Sequence, residues 1–193
     1  MIKPKFTFKD LFKSTLTTTI FIGSIVTTLV LIGSSISASP GMFEVQWDPD
    51  PSFRKLKSLQ TSNEKMDRST YYLFLRSSER KTAILQLTLK LPDYFDAKLK
   101  ANKISLCQAL IGGFKDRTRC IKNIDSVIEI GEDQTSIEIF PDKPIPMDNN
   151  PYAVVIKLFN PRSSGMFQFH GYAKSAGAID VSSYIGSWTF DVK

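Results

Sequence analysis

The sequence predicts a mainly β protein: a single antiparallel β-sandwich, immunoglobulin-like or jelly-roll-like, with one or two short helices and a signal peptide in front. Three observations carry this. From residue 43 onward, about nine or ten short segments alternate apolar and polar residues in the period-two pattern of half-buried strands. Gly, Pro, Asn and Asp separate them at the spacing of a sandwich. Segments with helical period are scarce.

"FEVQW" (43–47) alternates briefly, and "TYYLFL" (70–75) is rich in aromatic and branched residues. "ILQLTLKLP" (84–92) is the clearest case, with Leu85, Leu87, Leu89 and Leu91 on one face and Gln86, Thr88 and Lys90 on the other. "KISLCQAL", "CIKNI", "SVIEI", "TSIEIF", "YAVVIKLF", "MFQFHGYA" and "SWTFDV" follow. In "MFQFHGYA" Phe167, Phe169, Gly171 and Ala173 share one face, and Met166, Gln168, His170 and Tyr172 share the other. Two segments carry helical spacing: Phe53, Leu56 and Leu59 lie three apart, and "DYFDAKLKAN" (93–102) has the length of two or three turns. "TSNEKMDRS" (61–69) reads as a polar loop, and "GEDQTS" (131–136) as a hairpin loop. Pro141, Pro144, Pro146 and Pro151 crowd "FPDKPIPMDNNPY". Each lacks a backbone donor, so the segment is a stiffened crossing between strands.

The first 38 residues read as a signal peptide and residues 39–193 as one sandwich domain. Lys3, Lys5, Lys9 and Lys13 precede an uncharged span containing the apolar run "IFIGSIVTTLVLI" (20–32), and Ala38 and Ile36 suit a cleavage site. The competing reading is an uncleaved anchor, since the uncharged span is long enough to cross a bilayer; only in that case is membrane contact expected. Either reading exports the domain to periplasm, outer envelope or extracellular space, with the thylakoid lumen a further compartment. The formal charge of +6 owes much to the N-terminus. Setting aside those four lysines and Asp10 leaves 21 basic against 18 acidic residues, a net of +3. That balance, the compartment and the lack of a dense Lys/Arg stripe argue against nucleic acid. "FRKLK" and "RTRCIK" read as solvated surface.

Cys107 and Cys120 are an even pair in an exported domain, which favours a disulfide over two buried thiols. The enclosed Gly112-Gly113 and "KDRTR" suit a turn between strands. Two cysteines and one distant histidine do not make a zinc set, and no cofactor is expected. His170, the single histidine, alternates with Gln168 and Tyr172 on the polar face and has no nucleophile motif beside it, so no catalytic residue is assigned. Asp48 and Asp50 in "WDPDPSF" read as a proline-rich turn, not a calcium loop. Trp47, Tyr71, Tyr72, Tyr152, Tyr172, Tyr184 and Trp188 could build an aromatic platform for a sugar or protein. The candidate surface is Trp47, Tyr72, Tyr172 and Trp188.

The C-terminal half carries a motif set: Phe140, Pro141 and Pro146, then Asn160-Pro161-Arg162, Gly165, Phe167, Phe169, Ala173 and Gly177, and finally Tyr184, Gly186 and Phe190. It resembles an exported domain-of-unknown-function family found chiefly in cyanobacteria. The longer turn "PMDNNP", Phe167 in a usual Tyr position, Ser175 for Pro and Ile185 for Leu depart from its pattern. The resemblance implies a signal and a compact β-rich domain, and implies no reaction. Asn160, Pro161, Arg162, Gly165, Phe167 and Phe169 are expected to form a structural hairpin. The functional expectation is a non-catalytic envelope protein that binds an envelope protein or polysaccharide, or acts structurally. The competing class is an envelope-polymer hydrolase, which needs Asp48 or Asp50 clustered with Glu79 or Glu129. A third is an accessory subunit held by an uncleaved N-terminal helix.

Overall fold

A computed structural model of the chain describes residues 53–175 and 181–193. The strands are β1 (Ser58–Gln60), β2 (Arg68–Leu75), β3 (Ile84–Lys90), β4 (Ile104–Leu110), β5 (Arg119–Ile124), β6 (Ser126–Ile130), β7 (Ser136–Pro141), β8 (Tyr152–Phe159), β9 (Gly165–Ser175) and β10 (Ser183–Val192). They form two five-stranded antiparallel sheets. The first has the order β1-β2-β8-β4-β5, the second β10-β9-β3-β7-β6. The expected β-sandwich is therefore the observed fold. "FEVQW" and the signal segment lie outside the described residues.

The core lies between the sheets and follows strand parity. Tyr71, Leu73 and Leu75 of β2 meet Phe167, Phe169 and Ala173 of β9 and Trp188, Phe190 and Val192 of β10. An aromatic knot sits at its centre, with Tyr71 4.5 Å from Phe190 and Phe95 4.9 Å from Phe169, both edge-on. Gly171 makes room for it, because a Cβ there would stand 2.7 Å from the Trp188 ring. Gly186 lies at φ 145° where β10 bulges against β9, a conformation that favours glycine. On the outer face of the first sheet Phe74, Cys107, Ala109, Ala153 and Val155 form a second, smaller cluster. Cys107 is bonded there to Cys120 across the β4–β5 hairpin, as the sequence leads one to expect.

Several expectations are corrected. Residues 53–60 are extended, not helical. Leu56 N–H donates to the Ser187 carbonyl of β10 and Ser187 N–H to the Arg54 carbonyl, and the chain then joins the first sheet as β1. Residues 93–102 are not a helix either. A turn at Asp93 and Tyr94, closed by Phe95 N–H donating to the Pro92 carbonyl, leads into an extended arm over 95–100 that ends in the 3₁₀ turn Ala101–Lys103. The other short helix is the 3₁₀ turn at Ser77–Glu79. In the arm Phe95, Ala97 and Leu99 are buried while Asp96, Lys98 and Lys100 are exposed, which is period two. Leu85 points outward, away from Leu87 and Leu89, because β3 bulges between Ile84 and Gln86 and the extra residue reverses the parity.

A further correction concerns the hairpin expected around Asn160. β8 belongs to the first sheet and β9 to the second, so residues 160–164 cross between sheets and their strands do not pair. The proline-rich segment from β7 to β8 also crosses between sheets, and there Ile145 is buried and exchanges two backbone bonds with Ile84.

Candidate functional site

Asn160, Pro161 and Arg162 close the end of the sandwich. Pro161 favours an extended Asn160 and cannot continue the β8 ladder. Asn160 is buried, and its amide donates to the carbonyls of Ser62 (3.0 Å) and Glu64 (2.7 Å). Its oxygen accepts from the Tyr71 hydroxyl. The Pro161 carbonyl accepts from Met66 N–H, and Arg162 N–H donates to Asp96. The polar groups of this motif thus hold loop 61–67 and the 91–103 arm. Gly165 (φ 153°) then starts β9, and Phe167 and Phe169 enter the core.

A residue the sequence reading missed does the same at the other end. Arg80 is buried, and its guanidinium donates to the carbonyls of Leu75, Pro146, Asp148 and Asn150 and to the Asp148 carboxylate at 3.0 Å. It also lies 4.6 Å from the Tyr152 ring centre. Burial pulls the guanidinium pKa down and Asp148 opposes that shift. A lone arginine between "SSE" and "KT" carries no signal of this kind in the sequence. All buried side-chain nitrogens and oxygens among the described residues have partners.

The candidate aromatics do not form one surface. Trp188 is fully buried in the core, because it shares a face with Phe190 and Val192, and its indole N–H donates to the Phe74 carbonyl. Tyr72 stacks on Phe74 on the outer face of the first sheet. Tyr172 lies on the outer face of the second sheet, 5.6 Å from Tyr184. Trp47 lies outside the described residues. Among the rings of Phe53, His170, Tyr172 and Tyr184 the planes are tilted by 36° to 77°, which is not a coplanar stacking row. His170 Nδ1 shares the Ser187 hydroxyl (2.8 Å) with the Tyr184 hydroxyl (2.6 Å). Ser187 is buried, so this trio braces β9 against β10 and offers no exposed nucleophile. Burial lowers the His170 pKa.

Of the carboxylates that the hydrolase reading names, Glu79 and Glu129 are among the described residues. Glu79 is buried and paired with Arg76 at 2.6 Å. Glu129 is exposed on the edge strand β6, opposite Glu138. Asp48 and Asp50 lie outside the described residues. Among the described residues no three His, Cys, Asp or Glu side chains gather as a metal site.

A concave site does occur where the 91–103 arm meets the ends of β2 and β8. This groove, about 530 Å³, is lined by Arg68, Ser69, Thr70, Lys98, Lys100, Lys103, Lys157, Leu158 and Phe159. Its architecture follows from register. Thr70 faces Lys157 and Arg68 faces Phe159 on the β2–β8 ladder. Ile104, the first residue of β4, pairs with Ile156, which brings Lys103 at the end of the 3₁₀ turn up to Lys157 of β8 in the groove wall. The period-two arm adds Lys98 and Lys100 as its outward members. Five cations and no carboxylate line the groove. Arg68 lies over the Phe159 ring at 5.3 Å, and that ring is 57% exposed. The cations come from three separated stretches of chain, which is why no basic cluster announces them in the sequence. A second groove of about 420 Å³, between β5 and the proline-rich crossing, is of mixed charge, with Lys122, Asp125, Asp142 and Lys143.

Comparison with known proteins gives the family. The family model described as "Protein of unknown function (DUF2808)" matches residues 46–192. The chain belongs to the DUF2808 family. No curated protein matches it. Among solved structures, this DUF2808 chain is similar to BslA, a bacterial hydrophobin, at 13% identity, covering 72% of this chain and 97% of that one with a TM-score of 0.47. The collagen-binding domain of a Staphylococcus aureus adhesin is similar at 10% identity, with 71% and 95% covered and a TM-score of 0.37. An uncharacterized Nocardia farcinica protein with an immunoglobulin-like fold is similar at 11% identity, with 72% and 97% covered and a TM-score of 0.38. None of these likenesses bears on what the DUF2808 chain binds.

Proposed function

We propose that the protein is an exported, non-catalytic β-sandwich module of the cell envelope that works by binding. The observation that carries this reading is the cationic groove. It is a built concavity, and no cysteine, histidine or carboxylate lines it among the described residues. The buried polar groups elsewhere are committed to structure: Asn160 to two loop carbonyls, Arg80 to the proline-rich crossing, Ser187 to the β9–β10 brace. The Cys107–Cys120 disulfide supports an oxidising compartment. The N-terminal pattern supports a signal peptide over residues 1–38 and a mature domain from residue 39. Resemblance to a cyanobacterial exported family makes periplasm, outer envelope and thylakoid lumen the compartments to test.

Two measurements check this. Mass spectrometry of the native protein is expected to show a mature N-terminus near Ser39. A chain still beginning near Met1 replaces the signal with an anchor. Affinity purification of the tagged protein from its native envelope is expected to retain an envelope polymer or protein. A lone protein recovered from the cytosol overturns the reading.

A further inference from the structure

We infer that the groove between the 91–103 arm and the ends of β2 and β8 is a binding site for a linear acidic polysaccharide carrying uronate carboxylates. The inference rests on the binding-module reading above and names its ligand class. Charge singles out this groove. Residues 39–193 hold 21 cations and 18 acids, a net of +3. All 21 cations and 14 of the acids fall among the described residues. Five of those cations line this one groove with no acid among its lining, while the remaining 16 are set against 14 acids over the rest of the described surface. Cations unrelieved by any acid thus line this concavity, the arrangement that focuses and attracts anions.

The cations are also kept available. The ion pairs among the described residues are Arg76–Glu79 and Arg80–Asp148, and neither involves the groove. The two acids nearest in sequence are turned to backbone donors: Asp67 accepts from Arg68 N–H and Asp96 from Arg162 N–H. Arg68 rests on Phe159, and the four lysines have no carboxylate within salt-bridge distance among the described residues.

The kind of cation and its spacing narrow the ligand class. Four of the five are lysines, compact and strongly hydrated point charges, where an arginine cluster would favour forked recognition of phosphate. A carboxylate is likewise compact and strongly hydrated, and matches them better than a diffuse sulfate. Lys98 and Lys100 sit two apart on an extended arm, so their stems start about 7 Å from each other, on the scale of one sugar ring. Lys103 and Lys157 line the same groove. The exposed Phe159 ring supplies an apolar face for the C–H side of a pyranose, and Thr70 a hydroxyl. A regularly charged polymer lying along the groove would engage all of these.

The test is calorimetric titration of the exported protein, disulfide intact, with oligogalacturonate, neutral dextran, dextran sulfate, duplex DNA and anionic phospholipid vesicles. Oligogalacturonate is expected to bind and dextran not. Its affinity should fall at least about tenfold between about 50 and 500 mM NaCl, as screening shortens the reach of exposed charges. The triple variant Lys98→Gln, Lys100→Gln, Lys157→Gln should lose at least about tenfold, its fold checked by circular dichroism, because each exposed cation contributes modestly. Phe159→Ala should weaken oligogalacturonate and leave DNA unchanged, whereas Lys122→Gln with Lys143→Gln at the other groove should change nothing. Absence of oligogalacturonate binding, an unaffected triple variant, or tighter binding of dextran sulfate, DNA or vesicles overturns the assignment. If envelope capture succeeds while this titration fails, the binding-module reading stands and the groove assignment falls.

Discussion

The Tyr71 hydroxyl donates to Asn160 Oδ1 at 2.7 Å, a fully buried bond from the middle of the aromatic knot to the residue that ends β8. Burial pushes the Tyr71 pKa well above its ordinary range, so the hydroxyl stays a donor at any physiological pH. Asn160 uses its remaining donors on the carbonyls of Ser62, Glu64 and Asp67, so one side chain and its backbone fasten the 61–67 loop to the core.

Removing either partner leaves a buried polar group unpaired. Tyr71→Phe leaves Asn160 Oδ1 without its donor and Gln60 Nε2 without its acceptor, and is expected to cost about 1–2 kcal/mol. Asn160→Ala leaves the Tyr71 hydroxyl proton without its acceptor and takes the amide donors from the Ser62 and Glu64 carbonyls, and should cost about 2–4 kcal/mol. Because the residues share a bond, the double variant should cost less than the two singles together. Urea denaturation of all four proteins measures this. Strict additivity would show that the bond contributes nothing.

Arg80 fastens the opposite end through four carbonyls and one carboxylate. Arg80→Met is expected to destabilise by about 3 kcal/mol or more, since it unpairs several groups around a buried charge site. Arg80→Lys keeps the charge without the planar fork and should recover only part of the loss. The urea midpoint reports both. An Arg80→Lys protein as stable as wild type would mean that charge alone suffices.

The disulfide closes a loop with a sequence separation of 13. Cys107→Ala with Cys120→Ala, or reduction, should cost about 3 kcal/mol if the bond acts through the unfolded chain. That mechanism also requires the urea m-value to rise, because the freed chain exposes more surface on unfolding. A lower midpoint at unchanged m would place the effect in the folded state instead.

How much of this is legible in advance depends on whether the information is local. The faces of "MFQFHGYA" follow from alternation alone, since Phe167, Phe169 and Ala173 are apolar and an extended chain alternates sides. The same rule applied to "FDAKLK" marks the arm as extended, because Phe95, Ala97 and Leu99 alternate with Asp96, Lys98 and Lys100. There the helix-forming Ala, Lys and Leu pull the expectation toward a helix, while in the folded chain packing decides. Leu85 escapes because a bulge is fixed by the neighbouring strand β9. The crossing at Asn160 escapes because a short link between two strands looks alike whether they pair or occupy opposite sheets. The groove escapes for the same non-local reason: Arg68, Lys98, Lys100, Lys103 and Lys157 meet only once β2, β8 and the arm are assembled.

His170 gives a pH dependence whose sign is fixed by its surroundings. Its ring lies 5.2 Å from that of Phe53, bonds to buried Ser187, and faces Lys90 across the β3–β9 ladder. Burial lowers its pKa from the ordinary value of 6.5. The unfolded chain therefore takes up the proton first as pH falls through about 6.5, and uptake by the unfolded state lowers stability. The contribution is fully present above that pH, declines below it, and levels off once the folded state is protonated too. The carboxylates with lowered values, Asp67, Asp133 and Asp148, titrate below 3.8 and stay out of this window. The thermal midpoint is accordingly expected to fall between about pH 7.5 and 5.5, and His170→Gln should flatten that fall. The same slope in both proteins would show that His170 titrates alike in the folded and unfolded chain, and that the Ser187 brace does not depend on a neutral ring.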